Sequence, residues 1–226
     1  MSEALKQLQS KCGTTPDGEF GPMTANAIAN FYKWKTFRAA HMLGQVVHES
    51  GSFSIVTENL NYSADRLQKV FGTRYFRTKD DAKACERQPE KIANIVYNDA
   101  YRSKNGKLGN IMEGDGWKFR GRGFLQCTGR NNYQAFSREM KLPEIMSNPD
   151  LVGTDYAMES AIWFFNRNNL WKICDEGVSD DTIKRLTKRI NGGYNGLDHR
   201  RKETEKIYGW LVKSRYVKKA SDLWKE

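Results

Sequence analysis

The chain has 226 residues, with 37 Lys and Arg against 27 Asp and Glu for a formal net charge of +10. Its 38% hydrophobic content, with six Trp, ten Tyr and eleven Phe, suffices for a real core and excludes global disorder; the length allows one substantial domain, or a small module plus one. Mean hydropathy is -0.75, and no stretch nears the roughly 18 apolar residues of a membrane span. The opening residues, MSEALKQLQSKCG, contain no apolar h-region, so no ordinary signal peptide is expected. Cys12, Cys85, Cys127 and Cys174 lack CxxC spacing, and free thiols are expected rather than disulfides or zinc.

Along the chain, Leu5 and Leu8 have helical spacing, and Pro16-Asp17-Gly18 and Gly21-Pro22 are breakers. Thr24 can cap a second helix whose apolar face is Ala25, Ile28, Ala29 and Tyr32. The next helix is predicted from about Thr36 to His48, with Phe37, Ala40, Met42, Leu43, Val46 and Val47 as a broad buried stripe and Gly51 as its stop. Helices are also predicted over 64–72 and 89–102. Residues 103–123 are rich in glycine and turn signals and read as loop or short hairpin. Helical patterns resume at 131–140, 155–171 and 180–190; the last helix begins near Arg200 and breaks near Gly209 or Ser214. The predicted class is mainly α, in two lobes around a Gly-rich middle.

Three stretches could carry chemistry. His48-Glu49 ends the helix over 36–48, but HExxH fails because position 52 is Ser, and the only other histidines are His41 and His199. No metal and no cofactor is expected. On spacing alone Glu49 is either a surface charge or a general acid beneath an apolar stripe, where partial desolvation suits such a role. Glu58 is either part of a polar loop or the second carboxyl that glycoside hydrolysis requires. Residues 114–136, GDGWKFRGRGFLQCTGRNNYQAF, place Gln126, Thr128, Asn131 and Asn132 beside aromatics, which suits N-acetylated sugars. The same stretch lacks GxGxxG and GxxxxGK[ST], so it is no phosphate loop. Its Arg120, Arg122 and Arg130 alternate with Phe119 and Phe124, but no RNP1 string accompanies them.

Two resemblances follow from these residues. Leu8, Gln9, Asp17, Gly18, Phe20, Gly21, Pro22 and Thr24 resemble part of the peptidoglycan-binding module of cell-wall hydrolases. Residues 1–35 are therefore either a truncated wall-binding segment or a helical brace, with a catalytic domain over 36–226. HES-G-x-F, E-N-L-x-YSA, D-G-x-x-x-RGRG-x-x-Q-x-TGR-x-NY, NPDLV and INGG-x-NG, in that order, resemble family 19 glycoside hydrolases, the plant-type chitinases and their phage endolysin relatives. The short interval between Glu49 and Glu58 is similar to the compact endolysin form. The resemblance implies a lysozyme-like two-lobed domain that inverts at the anomeric carbon in one step. It further implies Glu49 as acid, Glu58 as the base activating water, and Thr128 as a hydroxyl holding that water. His48, Gln126, Asn132, Tyr133, Asn191 and Arg200 would contact or support substrate, although Arg201 is adjacent to Arg200. A carboxyl separation of about 6.5–9.5 Å is expected for inversion.

The implied activity is hydrolysis of β-1,4 bonds in the peptidoglycan backbone, as a muramidase, for host cell lysis; chitin is the alternative substrate. A non-catalytic wall-binding protein is disfavoured because both glutamates and the Thr128 hydroxyl are present. The enzyme is expected as a monomer in the host cytoplasm until lysis, reaching periplasm and wall with a holin-type permeabilising partner. The basic excess sits late in the chain: residues 184–226 hold 13 Lys and Arg against five Asp and Glu. Tyr208, Trp210, Leu211, Val217, Leu223 and Trp224 interleave there with Lys206, Lys213, Arg215, Lys218, Lys219 and Lys225. This reads as a packed helical tail or as a basic face toward an anionic envelope, not as a nucleic-acid interface.

Overall fold

The computed structural model describes residues 2–223, and the side chains of all of these except residues 105 and 215–223. The chain divides into two compact units. One comprises the residues up to Val56 together with those from Ala161 onward; the other is Thr57–Ser160.

The first unit opens with α1 (Glu3–Lys11) and α2 (Pro22–Phe31). Ser2 caps α1 by accepting the Leu5 N–H, and Pro22 starts α2 where its missing N–H costs nothing. Gln9 is fully buried between them. Its Nε2 donates to Asp17 Oδ1 (2.7 Å), the Glu19 carbonyl (3.0 Å) and Thr24 Oγ1 (3.0 Å), and its Oε1 accepts the Gly18 N–H (2.8 Å). The polar residues of the LQ…DG…T motif thus hold one another and shape the turn. Gln9→Ala would strand several of these groups and should lower stability by about 3 kcal/mol. For a chain of this size that is a fall of about 6–12 °C in thermal midpoint; a shift of under about 2 °C would show that the turn holds without its latch.

α3 (Thr36–Glu49) is buried on nearly all sides from Ala39 to Val47, as a central helix should be. It packs on α13 (Leu197–Leu223), which also touches α2. A Cβ on Gly44 would collide with Thr204, so this glycine sets the closeness of the α3–α13 contact. This unit also holds α11 (Trp171–Cys174) and α12 (Asp180–Asn191), the latter with a Ser179–Thr182 capping box and Gly192 in the left-handed region at its end.

The second unit holds α4 (Ala64–Phe71), α5 (Lys79–Lys83) and α6 (Pro89–Val96), which enclose Leu60, Leu67, Phe76, Ala82, Cys85, Ile92, Ala93 and Val96. α7 (Asp115–Lys118), α8 (Arg130–Met140) and α9 (Glu144–Ser147) follow. α10 (Ala157–Arg167) begins in this unit and continues into the first. The mainly α class is as expected, and among the described residues no helix is long and apolar enough to cross a membrane.

Several boundaries differ from the sequence expectations. The helix expected over 89–102 stops at Val96, because Asn98 turns its side chain onto the Ala100 N–H and opens a separate 3₁₀ turn, Asp99–Tyr101. The helix expected over 155–171 is two helices parted at Asn169, which has φ 54°. α5 went unpredicted; its signal is the Thr78–Asp81 capping box. The Gly-rich stretch forms short helical turns and α7, and its hairpin reduces to isolated bridges of Arg122 with Thr57 and with Cys127. α13 starts at Leu197 and runs through Gly209 and Ser214 without a break, an interior glycine costing a helix only about 0.5–1 kcal/mol. Of the basic tail, the side chains of Arg215, Lys218 and Lys219 lie outside the described residues, as do Val217, Leu223, Trp224 and Lys225. Much of the excess that is described is paired locally: Arg185 with Glu176 and Asp181, Arg201 with Asp180 and Asp198, Lys206 with Glu203.

Candidate active site

Each unit presents one of the two glutamates. In the first, Glu49 is the last residue of α3, with its side chain 24% exposed. Arg200, in the first turn of α13, is wholly buried and donates from Nη2 to Glu49 Oε1 at 2.6 Å. Its Nη1 donates to Gln45 Oε1 one turn back on α3, and its Nε to the Asn195 carbonyl (3.2 Å). The guanidinium therefore ties the end of α3 to the loop before α13. Arg201, the other candidate, is spent at the surface on Asp180 and Asp198. Asn191 lies exposed at the end of α12.

His48 sits beside Glu49, its Nδ1 3.0 Å from His199 Nδ1, and Gly196 runs so close beneath the ring that a Cβ there would collide with it. Burial lowers the His48 pKa from the ordinary imidazole value, and the Arg200 charge adds to this while Glu49 opposes it. Burial does the same at His41, opposed by the hydrogen bond to the Gly177 carbonyl. Both rings favour the neutral form in the folded chain. Below about pH 6.5 the unfolded chain takes up these protons first, so stability should fall as pH drops from there. Thermal midpoints between about pH 7.5 and about pH 5 check this. The midpoint should decline, and the decline should be shallower in His41→Gln; a flat wild-type profile would contradict the reading.

In the second unit, Glu58 pairs with the backbone of Gly121: the Glu58 N–H donates to the Gly121 carbonyl (3.0 Å), and the Gly121 N–H donates to Glu58 Oε1. Glu58 Oε2 accepts the Tyr97 hydroxyl. A Cβ built on Gly121 would meet Gln126 Oε1 at 2.8 Å, Thr128 Oγ1 at 3.2 Å and Glu58 Cδ at 3.3 Å. Three polar side chains therefore converge on one point, and only glycine leaves it open. Gln126 reaches it from a left-handed backbone (φ 52°), with its Nε2 on the Gly123 carbonyl and its buried Oε1 without a partner in the protein. Thr128 donates to the Gln126 carbonyl (2.8 Å), which leaves its hydroxyl oxygen able to accept. Asn132 anchors the strip from α8 by donating to the Thr128 carbonyl (2.9 Å).

Tyr133 is placed behind this group rather than in it. Its ring is fully buried, and its hydroxyl donates to the Arg120 carbonyl (2.7 Å) and accepts from Arg122 Nη1 (3.1 Å). The RGRG arginines are structural as well: Arg122 is buried with Nη2 2.6 Å from Asp150, and Arg120 lies 3.7 Å over the Trp117 ring. Arg130 pairs with Asp115. Burial pushes the Cys127 thiol up to about 12, so a thiolate nucleophile between Gln126 and Thr128 is not available near neutral pH. None of the four cysteines is in a disulfide among the described residues. Sequence reasoning missed Tyr97, Gln45 and His199, which contacts distant in sequence bring to Glu58, Arg200 and His48 respectively.

No family model matches the chain. A Haemophilus influenzae protein described as a glycosyl hydrolase family 19 domain-containing protein is 41% identical over 165 residues, 71% of this chain and 74% of that protein. The chain belongs to glycosyl hydrolase family 19. Chitinase 8 of rice (Oryza sativa subsp. japonica) is 47% identical over a shorter stretch of 47 residues, 20% of this chain and 18% of the chitinase. The family 19 chain is thus a glycoside hydrolase, with a carboxyl group held by polar partners in each of its units.

Proposed function

We propose that this family 19 enzyme is a peptidoglycan-hydrolysing endolysin that cleaves β-1,4 bonds of the glycan backbone as a muramidase, in a single inverting step. Glu49 protonates the leaving oxygen and Glu58 takes a proton from the attacking water, with Thr128 holding that water. The convergence of Glu58, Gln126 and Thr128 on the open face of Gly121 carries this reading, because it supplies a carboxylate, a hydroxyl and an unpartnered amide oxygen to one small volume. The short interval between the two glutamates and the wall-module-like residues 8–24 favour peptidoglycan as the polymer. A lytic role would call for a holin-type partner to open the route from the host cytoplasm to the wall.

The match to a rice chitinase supports a second reading, chitin hydrolysis. Both polymers are β-1,4 chains of N-acetylated hexosamines, so products must decide. Mass spectrometry of digested peptidoglycan should show reducing-end muramic acid. Reducing-end glucosamine would make the enzyme a glucosaminidase, and turnover of chitin oligomers alone would make it a chitinase.

A further inference from the structure

We propose that Tyr97 is a positioning residue for Glu58, holding the carboxylate in the orientation from which it activates water; this rests on Glu58 being the base. Tyr97 terminates α6, with its N–H on the Ala93 carbonyl (3.0 Å). Its own carbonyl accepts from Asn110 Nδ2 (3.1 Å), and the buried Asn110 also takes the Arg130 N–H (2.9 Å) at the start of α8. The ring packs against the cluster containing Leu60, Leu67, Phe76 and Val96. Backbone and ring are thereby fixed, and the hydroxyl is delivered to Glu58 Oε2.

The other oxygen, Oε1, takes the Gly121 N–H. One fixed donor on each oxygen sets the carboxylate plane and leaves a lone pair on each oxygen free. Burial, reinforced by the adjacent Glu58, raises the Tyr97 hydroxyl far above the ordinary phenol range, so it stays protonated and remains a donor. A base that could rotate would lose the alignment with Thr128 and Gln126, and misplacement on the order of 1 Å costs about 100-fold in rate.

Tyr97→Phe removes this donor and little else. On soluble N-acetylated hexosamine oligosaccharides, kcat should fall about 10- to 100-fold while KM stays within about twofold. In a Glu58→Gln background the same substitution should change the residual rate by less than about twofold, since a residue acting through Glu58 has nothing left to position. Val96→Ala, which opens the same core without touching Glu58, should lower the thermal midpoint and spare kcat. Should the Phe chain fail to fold, 3-fluorotyrosine at position 97 keeps both shape and donor and should retain activity within about twofold. A wild-type kcat in Tyr97→Phe, an equal loss in both backgrounds, or a fluorotyrosine enzyme as impaired as the Phe one would overturn the proposal. An active Glu58→Gln enzyme would instead remove the base assignment on which it rests.

Discussion

Glu49→Gln should abolish nearly all lysis of outer-membrane-stripped cells, a loss of about 10²–10⁴-fold, with the fold retained. Gln keeps an oxygen that can accept from Arg200, so the buried guanidinium stays satisfied by position 49, Gln45 and the Asn195 carbonyl. What disappears is the proton that a leaving glycosidic oxygen needs, and general acid catalysis is worth typically about 10²–10⁴-fold. Glu49→Ala would mix two effects, because a buried cation loses a charge-assisted partner at a cost of about 2 kcal/mol. Turbidity reduction beside thermal unfolding separates them: the Gln enzyme should melt close to wild type and lyse nothing, while the Ala enzyme should melt lower. Wild-type-like lysis by Glu49→Gln would refute the acid assignment.

The second large effect is expected at Glu58. Glu58→Gln should lower turnover by about 10²–10⁴-fold, again without unfolding, because the Gln oxygen still receives the Gly121 N–H and the Tyr97 hydroxyl can accept from the new amide. A drop under about tenfold would make Glu58 peripheral. Thr128 supplies an internal comparison. Thr128→Ser keeps the hydroxyl that donates to the Gln126 carbonyl and should remain within several-fold of wild type, whereas Thr128→Val removes the hydroxyl at nearly constant shape and should be far worse. Equal activity of the two variants would show that the hydroxyl holds no water.

The paired arginines narrow the meaning of the +10 charge. Arg185 and Arg201 reach acidic partners at Glu176, Asp181 and Asp180, all before residue 184, so the late segment is locally less basic than its own count suggests. Arg200 is not a surface charge at all, but the support beneath Glu49.

What could be read from the sequence was whatever depends on neighbours within one or two turns. Helical periodicity placed α3, α4, α8 and α12; Pro22 and Gly51 punctuated as local backbone rules require. Five ordered blocks pointed to Glu49, Glu58 and the Gln126–Thr128 strip through the resemblance they carry, and the structure gathers Glu58, Gln126 and Thr128 around Gly121. The tertiary structure decided everything that hangs on distant contacts. Arg200 rather than Arg201 meets Glu49, since only one of two adjacent positions on α13 faces α3. Tyr133 is a buried pillar and Tyr97 the residue at Glu58, although both are tyrosines near helix ends. Gln9 latches its own turn through partners up to fifteen residues away. No local pattern encodes these pairings, because a side chain's partner is fixed by which helix faces meet after the chain has packed.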